Sequence, residues 1–361
     1  IMLNLRNSLI LGAMALSGIL QAQDPKRHLE FTISGVVKDT VYLANYYGNK
    51  LYYSDTAVAD AKGHCVFQRA KGYKAGVYAV VVPGPKYFEI LVNETEVVME
   101  TDTADLLGHL KVKRSPENQI FLDYVRFLNT KKKDGEAVKA RMDATMDPIA
   151  KARDKEQLVA LDKEIKDYMH ATVAKAPTTY AASLIRMSIE PDQVEIMGAD
   201  GKVDSTATYY HYRQHYWDNT DLTDERILRA PVFQNKFDEY IGKVVPQIPD
   251  TINKLADDLI GRMSSTPELF KFAVHNVTYK YETSEIMGMD AVFVHMAQTY
   301  YCPKGNEPSK ATWMSKEKLD KLCERARKQA PLVIGAKARN IILTDTTEQR
   351  WIDMYKMPSE Y

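Results

Sequence analysis

Between Leu29 and Arg114 the apolar residues fall in short, β-branched or aromatic runs: Phe31 and Ile33, Val41 and Leu43, Val66, Val77 to Val82, Phe88 to Val92, and Val97 to Met99. Turn signals at Tyr47-Gly48-Asn49, Lys62-Gly63 and Pro83-Gly84-Pro85 cut them apart, and no helical period runs through them. Short strands at this spacing predict an antiparallel β-sandwich or similar sheet of about seven or eight strands.

At Ser115 the pattern changes. Ser115-Pro116-Glu117 offers a capping side chain, a proline at the first helical position and an early acid, and Ile120, Phe121, Tyr124, Val125 and Leu128 then share one helical face. Asp154 to Gln157 is expected to open a second helix that stops at Pro177, Pro231 a later one, and Thr266-Pro267-Glu268 another. Ile286 to Met296 is apolar nearly all round and predicts a central core helix. The stretch 115–332 thus reads as a helical domain of roughly seven to nine helices without a solenoid repeat, and the chain as α+β.

The N-terminus adds export. Arg6 precedes an apolar run of 12 residues, Leu9 to Leu20, that ends at Gln21-Ala22 before polar Gln23-Asp24-Pro25. That is the pattern of a secretory signal peptide over residues 1–22, too short for the roughly 20 residues of a membrane-spanning helix. No apolar stretch beyond Ala22 reaches spanning length, so no transmembrane segment is expected after cleavage. Ile1 before Met2 suggests an alternative start or an excerpted reading frame. The 48 basic and 48 acidic residues balance, which gives no electrostatic reason to expect nucleic acid as a partner. The basic run Lys131-Lys132-Lys133 before Asp134-Gly135 reads as a solvated helix end.

Candidate chemistry is sparse. His211, His215 and Asp218 would share one helical face and make a known type of metal-ligand set, yet no glutamate base lies between the histidines. Their aromatic surroundings, Tyr209 to Trp217, favour packing with the imidazoles at the polar edges, so no metal or cofactor is expected. Arg213, Asp218, Asp221, Asp224, Arg226 and Arg229 alternate in charge and read as ion pairs locking helices before they read as a recognition surface. Three cysteines are too few for a disulfide framework. Cys65 and Cys323 sit on apolar faces and read first as buried thiols, while a Cys302–Cys323 bridge stays open because the helix after Cys302 could return beside it. Ser183 and Ser264 lack a nucleophile-elbow setting and no glycine loop cradles a phosphate, so no catalytic residue is assigned.

Three resemblances follow. The tail Gly335-Ala336-Lys337-Ala338-Arg339-Asn340-Ile341-Ile342-Leu343-Thr344-Asp345 resembles the lead-in of TlpA/ResA-like (AhpC/TSA-related) thioredoxin proteins, G-x-x-A-P-x-F-x-L-x-D, with Arg339 where that family has proline. In that family a buried strand and a Cys-x-x-Cys follow, and no such cysteine pair is present here. Phe31 to Gly35, Lys62 to Phe67, Gly76 to Tyr78 and Tyr87 to Val92 are similar, in that order, to the small β domain often found ahead of envelope thioredoxins. Tyr212 to Asp218 with Asp221 to Phe233, Ile286 to His295, and Pro331 to Gly335 resemble a domain of unknown function that lies between such a β domain and a thioredoxin fold. The resemblance implies four segments: the signal peptide, a β domain over 29–114, a helical domain over 115–332 and the start of an incomplete thioredoxin-like domain over 333–361. It further implies a place in the periplasm or cell envelope of a Gram-negative bacterium. The role expected is non-catalytic: positioning a thiol-disulfide oxidoreductase or selecting its partners. The competing expectation is a stand-alone exported module that binds a glycan, peptide or envelope protein.

Overall fold

The computed structural model describes residues 24–84, 86–192, 194–337, 340–348 and 350–357; the signal-peptide segment and Ala338-Arg339 of the lead-in lie outside them. Eight strands come first: His28–Ser34 (β1), Thr40–Tyr47 (β2), Lys50–Val58 (β3), His64–Phe67 (β4), Gly76–Val82 (β5), Lys86–Val92 (β6), Glu96–Asp102 (β7) and Lys111–Arg114 (β8). They form two four-stranded sheets, ordered β4-β1-β7-β8 and β3-β2-β5-β6. Inward residues of both sheets, among them Phe31, Leu43, Phe67, Val80, Phe88 and Val97, make one buried core. Phe31 meets Phe67 and Phe88 edge-on, each at 6.0 Å between ring centres. The architecture is the expected sandwich with one difference: β1 and β7 pair in parallel, Leu29 opposite Val97 and Phe31 opposite Met99. The chain builds all four strands of the second sheet between them and re-enters the first sheet in its original direction.

Strand β5 is buried at all seven positions. Its inward residues serve the sandwich core, while Val77, with Tyr46 and Leu91, joins the apolar core of the helical region. This second sheet therefore forms the floor on which the helices sit.

The helices are Pro116–Ala144 (α1), Pro148–Lys175 (α2), Tyr180–Met187 (α3), Ser205–His215 (α4), Pro231–Glu239 (α5), Pro249–Arg262 (α6), Pro267–Glu282 (α7), Asp290–Met296 (α8) and Lys316–Gln329 (α9). Ser115 caps α1 by accepting from the Asn118 N–H, as its sequence position requires. Three expectations need correction. Lys131 to Lys133 lie inside α1, not at its end, because the helix continues past Gly135 to bury Val138, and Lys131 pairs with Glu164 of α2 at 2.7 Å. The second helix opens at Pro148 under an Asp147 cap, whereas Asp154 is buried within it and takes a 3.2 Å bond from Arg141 of α1. The segment from Ile286 is not all core, since α8 begins only at Asp290 and leaves Met287 87% exposed in the preceding turn.

After α9 the chain makes a short hairpin, Ile342–Thr344 (β9) against Trp351–Asp353 (β10). Among the described residues no helix is long and apolar enough to cross a membrane.

Candidate functional site

The histidine pair of the sequence lies on the last turn of α4, ring centres 4.3 Å apart, and His215 Nδ1 is 2.6 Å from Asp218 Oδ2. Tyr216 and Trp217 turn into the core while His215 and Asp218 stay outside, so His215 is not packed among aromatics as expected. The helix ends at His215, and the turn that follows buries only the two aromatic residues. Among the described residues no group of three His, Cys, Asp or Glu side chains could hold a metal ion. The double substitution His211→Gln with His215→Gln is expected to cost about 1 kcal/mol or less, as for an exposed pair. Metal content measured by plasma mass spectrometry should not change; stoichiometric zinc in the native chain that disappears in the variant would refute this.

The Arg/Asp series resolves into local pairs that fasten the sandwich to the helices. Asp224 caps a 3-10 turn, Glu225–Arg229, and takes the Arg226 guanidinium at 2.8 Å. Arg226 also lies over the Tyr180 ring at 5.0 Å and reaches Asn93 of the β domain at 3.4 Å. Arg229 donates through Nε to the Ala75 carbonyl at 2.6 Å and pairs with Glu225 at 3.0 Å. A Cβ on Gly76 would stand 2.6 Å from the Arg229 Cβ, so the close approach of strand and turn requires glycine there. Arg213 leaves the series and lies over the rings of Tyr209 and Tyr210. Asp221 accepts from Thr223, whose bonds lower its pKa against the effect of burial.

On the other side of this junction stands Glu117. Burial raises its carboxyl above the ordinary range, opposed by hydrogen bonds from Asn93 and the Tyr180 N–H. Asn118, 1% exposed, holds the edge of β6: its amide oxygen accepts from the Leu91 N–H and its NH2 donates to the Leu91 carbonyl, both at 2.7 Å.

A cleft of ≈ 580 Å³ opens where the β2–β3 hairpin meets α7 and the start of α9. The hairpin tip is pinned: Gly48, with φ +60°, donates to the Leu228 carbonyl at 2.7 Å, and the Asn49 N–H to Gln234 Oε1 at 2.9 Å. Tyr47 packs edge-on against Phe272, and its hydroxyl is 3.5 Å from Glu268. Burial, then the Glu268 charge, pushes that phenol up to about 12, so it stays a neutral donor. Lys271 and His275, one helical turn apart on α7, face Trp313 and Lys318 across the opening. Neither Lys271 nor Lys318 has an acidic partner within 4.0 Å among the described residues. Two ammonium groups over an aromatic wall can hold an anionic ligand, but the cleft supplies no hydrogen-bonded nucleophile and base.

One hydrogen-bonded constellation was missed in the sequence. His295 Nε2 and the Tyr300 hydroxyl both bind Asp257, each at 2.8 Å. Burial raises the Asp257 carboxyl, but the bonds from His295 and Tyr300 outweigh it and leave a net lowering. Tyr300 is raised by burial first and by Asp257 second, which keeps it protonated and makes it a clamp between α6 and the end of α8. The partners lie 38 and 43 positions apart, with no local spacing to announce them.

The cysteines divide. Cys302 and Cys323 form a disulfide with Cα atoms 5.5 Å apart, so Cys323 is not the core thiol its helix face suggested. Cys65 is a free buried thiol, pushed up to about 12 by burial and unreactive for that reason.

Comparison with known proteins adds little chemistry. The family described as "Domain of unknown function (DUF5106)" matches residues 202–329, from just before α4 to the end of α9, about a third of the chain. No curated protein matches. One solved structure, described as "Crystal structure of (S)-allantoin synthase", aligns at a TM-score of 0.20 and 10% identity, over 26% of this chain and 45% of that one. The chain spans less than half of that protein's length, and a likeness this slight carries no argument about fold or activity.

Proposed function

We propose that this chain is the non-catalytic N-terminal part of an exported thioredoxin-like disulfide oxidoreductase of the cell envelope, where it positions the redox domain or selects its partners. The observation that carries this reading is the hairpin after α9. It displays Leu343, Ile342 and Trp351 to solvent, the last 74% exposed, although a two-stranded ribbon has no independent stability in water. Such an apolar ribbon is what a further domain would cover, and its sequence is the segment that resembles the thioredoxin lead-in. The thiols fit the same division of labour: one is buried and protonated, and two are spent in a bridge between α9 and the end of α8.

The runner-up is a stand-alone exported binding module. It is favoured by the cleft with Tyr47, Lys271, Trp313 and Lys318, and by exposed Tyr42, Tyr53 and Tyr87 on the outer face of the second sheet.

The coding sequence decides between the two. Read beyond the codon for Tyr361, it is expected to give an apolar strand and a Cys-x-x-Cys within about 20 residues. A stop codon at that point in the native gene would eliminate the redox reading and leave the binding module.

A further inference from the structure

The free edge of β6 is half occupied already. Pairs along β5 and β6 run without a bulge, Val77 opposite Leu91, Ala79 opposite Glu89 and Val81 opposite Tyr87. In an antiparallel strand the N–H and C=O of alternate residues point to the same side. Leu91 turns both groups outward, where the Asn118 side chain satisfies them. By the same alternation Glu89 and Tyr87 turn theirs outward too, and no hydrogen bond to the backbone of either is made on that side among the described residues.

Beside these two residues lies a groove of ≈ 320 Å³ between β6 and α1, floored by Leu122 and walled by Phe121, Val125 and Leu107. The Glu89 carboxylate is turned away from this role, accepting the Tyr46 hydroxyl at 2.7 Å.

We propose that this edge is a binding site for an extended peptide segment of another protein, which adds as a strand beside Tyr87 and Glu89 and places one large apolar side chain in the groove. Four backbone hydrogen bonds in register are available, and Asn118, an amide already seated as the next strand's would be, sets the stop. Width decides the occupant. Helix α1 packs beside the edge and only two residues of it are open, so a single extended chain fits, whereas four hydrogen bonds are too short an edge to join it to the sheet of a second folded copy. The inference gives the partner-selecting reading a concrete site, and it stands whether or not a redox domain is attached.

The test uses the full chain and fluorescein-labelled heptapeptides Thr-Val-Thr-X-Thr-Val-Thr, with X as Phe, Leu, Gly or Asp, read by fluorescence anisotropy. The Phe and Leu peptides are expected to bind at least tenfold more tightly than those with Gly or Asp. N-methylation of the residues flanking X should weaken them at least tenfold with the native protein, and Val125→Trp should do the same by filling the groove. Hydrogen exchange should slow at the Glu89 and Tyr87 amides on binding. Failure of all four peptides to bind, or binding indifferent to N-methylation, would overturn the proposal even if the Val125→Trp protein did not fold. Association of the chain with itself that the Phe peptide does not displace would overturn it as well.

Discussion

Replacing Cys302 and Cys323 together by serine is expected to destabilise the native chain by about 3 kcal/mol, the loop-closure value for a bridge spanning 21 residues. The loss should be concentrated at α9. Of its 14 residues only Ala326 is buried, and it docks on a small cluster made by Phe293, Val294 and Ala297 with Leu322 and Val333 at the rim. So thin an apolar face gives α9 little hold of its own, and the covalent link to Cys302, at the end of the helical turn that continues α8, keeps it in place. Hydrogen exchange in Lys316–Gln329 should therefore accelerate in the double variant far more than in α5 or α7. Calorimetry should show a Tm lower by roughly 4 °C if the chain unfolds as one unit. Equal stability of variant and native protein, with the native bridge verified by mass spectrometry, would show that α9 packs well without it.

The second large effect belongs to Arg229. Only 8% exposed, it donates to the β-domain backbone at Ala75 while paired with Glu225 on its own turn. Arg229→Ala leaves the Ala75 carbonyl without its donor and a void above Gly76, at an expected cost of about 3 kcal/mol. Arg229→Lys should recover less than half, because a single ammonium cannot serve Ala75 and Glu225 from the positions of Nε and Nη1. Gly76→Ala approaches the same contact from the other side and should also destabilise, since its methyl would meet the Arg229 Cβ at 2.6 Å. Urea unfolding followed at two wavelengths should further show the sandwich and the helices parting company in Arg229→Ala. A change under 1 kcal/mol in that variant would mean that the apolar contacts of Tyr46, Val77 and Leu91 hold the junction alone.

What the sequence disclosed follows from how local each signal was. The run Val77 to Val82 announced a strand because it is β-branched and aromatic with no turn residue inside it, though its burial on both faces emerged only in the fold, and Ser115-Pro116-Glu117 announced a helix start because capping acts over three residues. The register of β1 on β7 had no such local trace, since parallel pairing depends on where the chain returns and not on what either strand contains. β3 was silent for a different reason: its first four residues, including Tyr53 at 72% exposed, face solvent, so the apolar alternation of a half-buried strand is missing. The junction was half legible. Asp224 as a cap and the Arg226 and Arg229 pairs could be read from spacing, but Arg229 meets Ala75 across 154 positions and Asn118 meets Leu91 across 27. The same distance rule hid the Asp257–His295–Tyr300 clamp and left the cleft at Tyr47, Lys271 and Lys318 without any forewarning.

The central claim is that this chain serves as scaffold and leaves catalysis to another domain, and dithiothreitol-driven insulin reduction tests it most directly. The purified chain should reduce insulin no faster than the buffer blank, because burial holds the Cys65 thiol protonated at neutral pH and the remaining two cysteines face each other with no third thiol at redox spacing. Turnover above the blank that is lost on Cys323→Ser would contradict the account, by showing that the bridge between α9 and the end of α8 is a working redox centre.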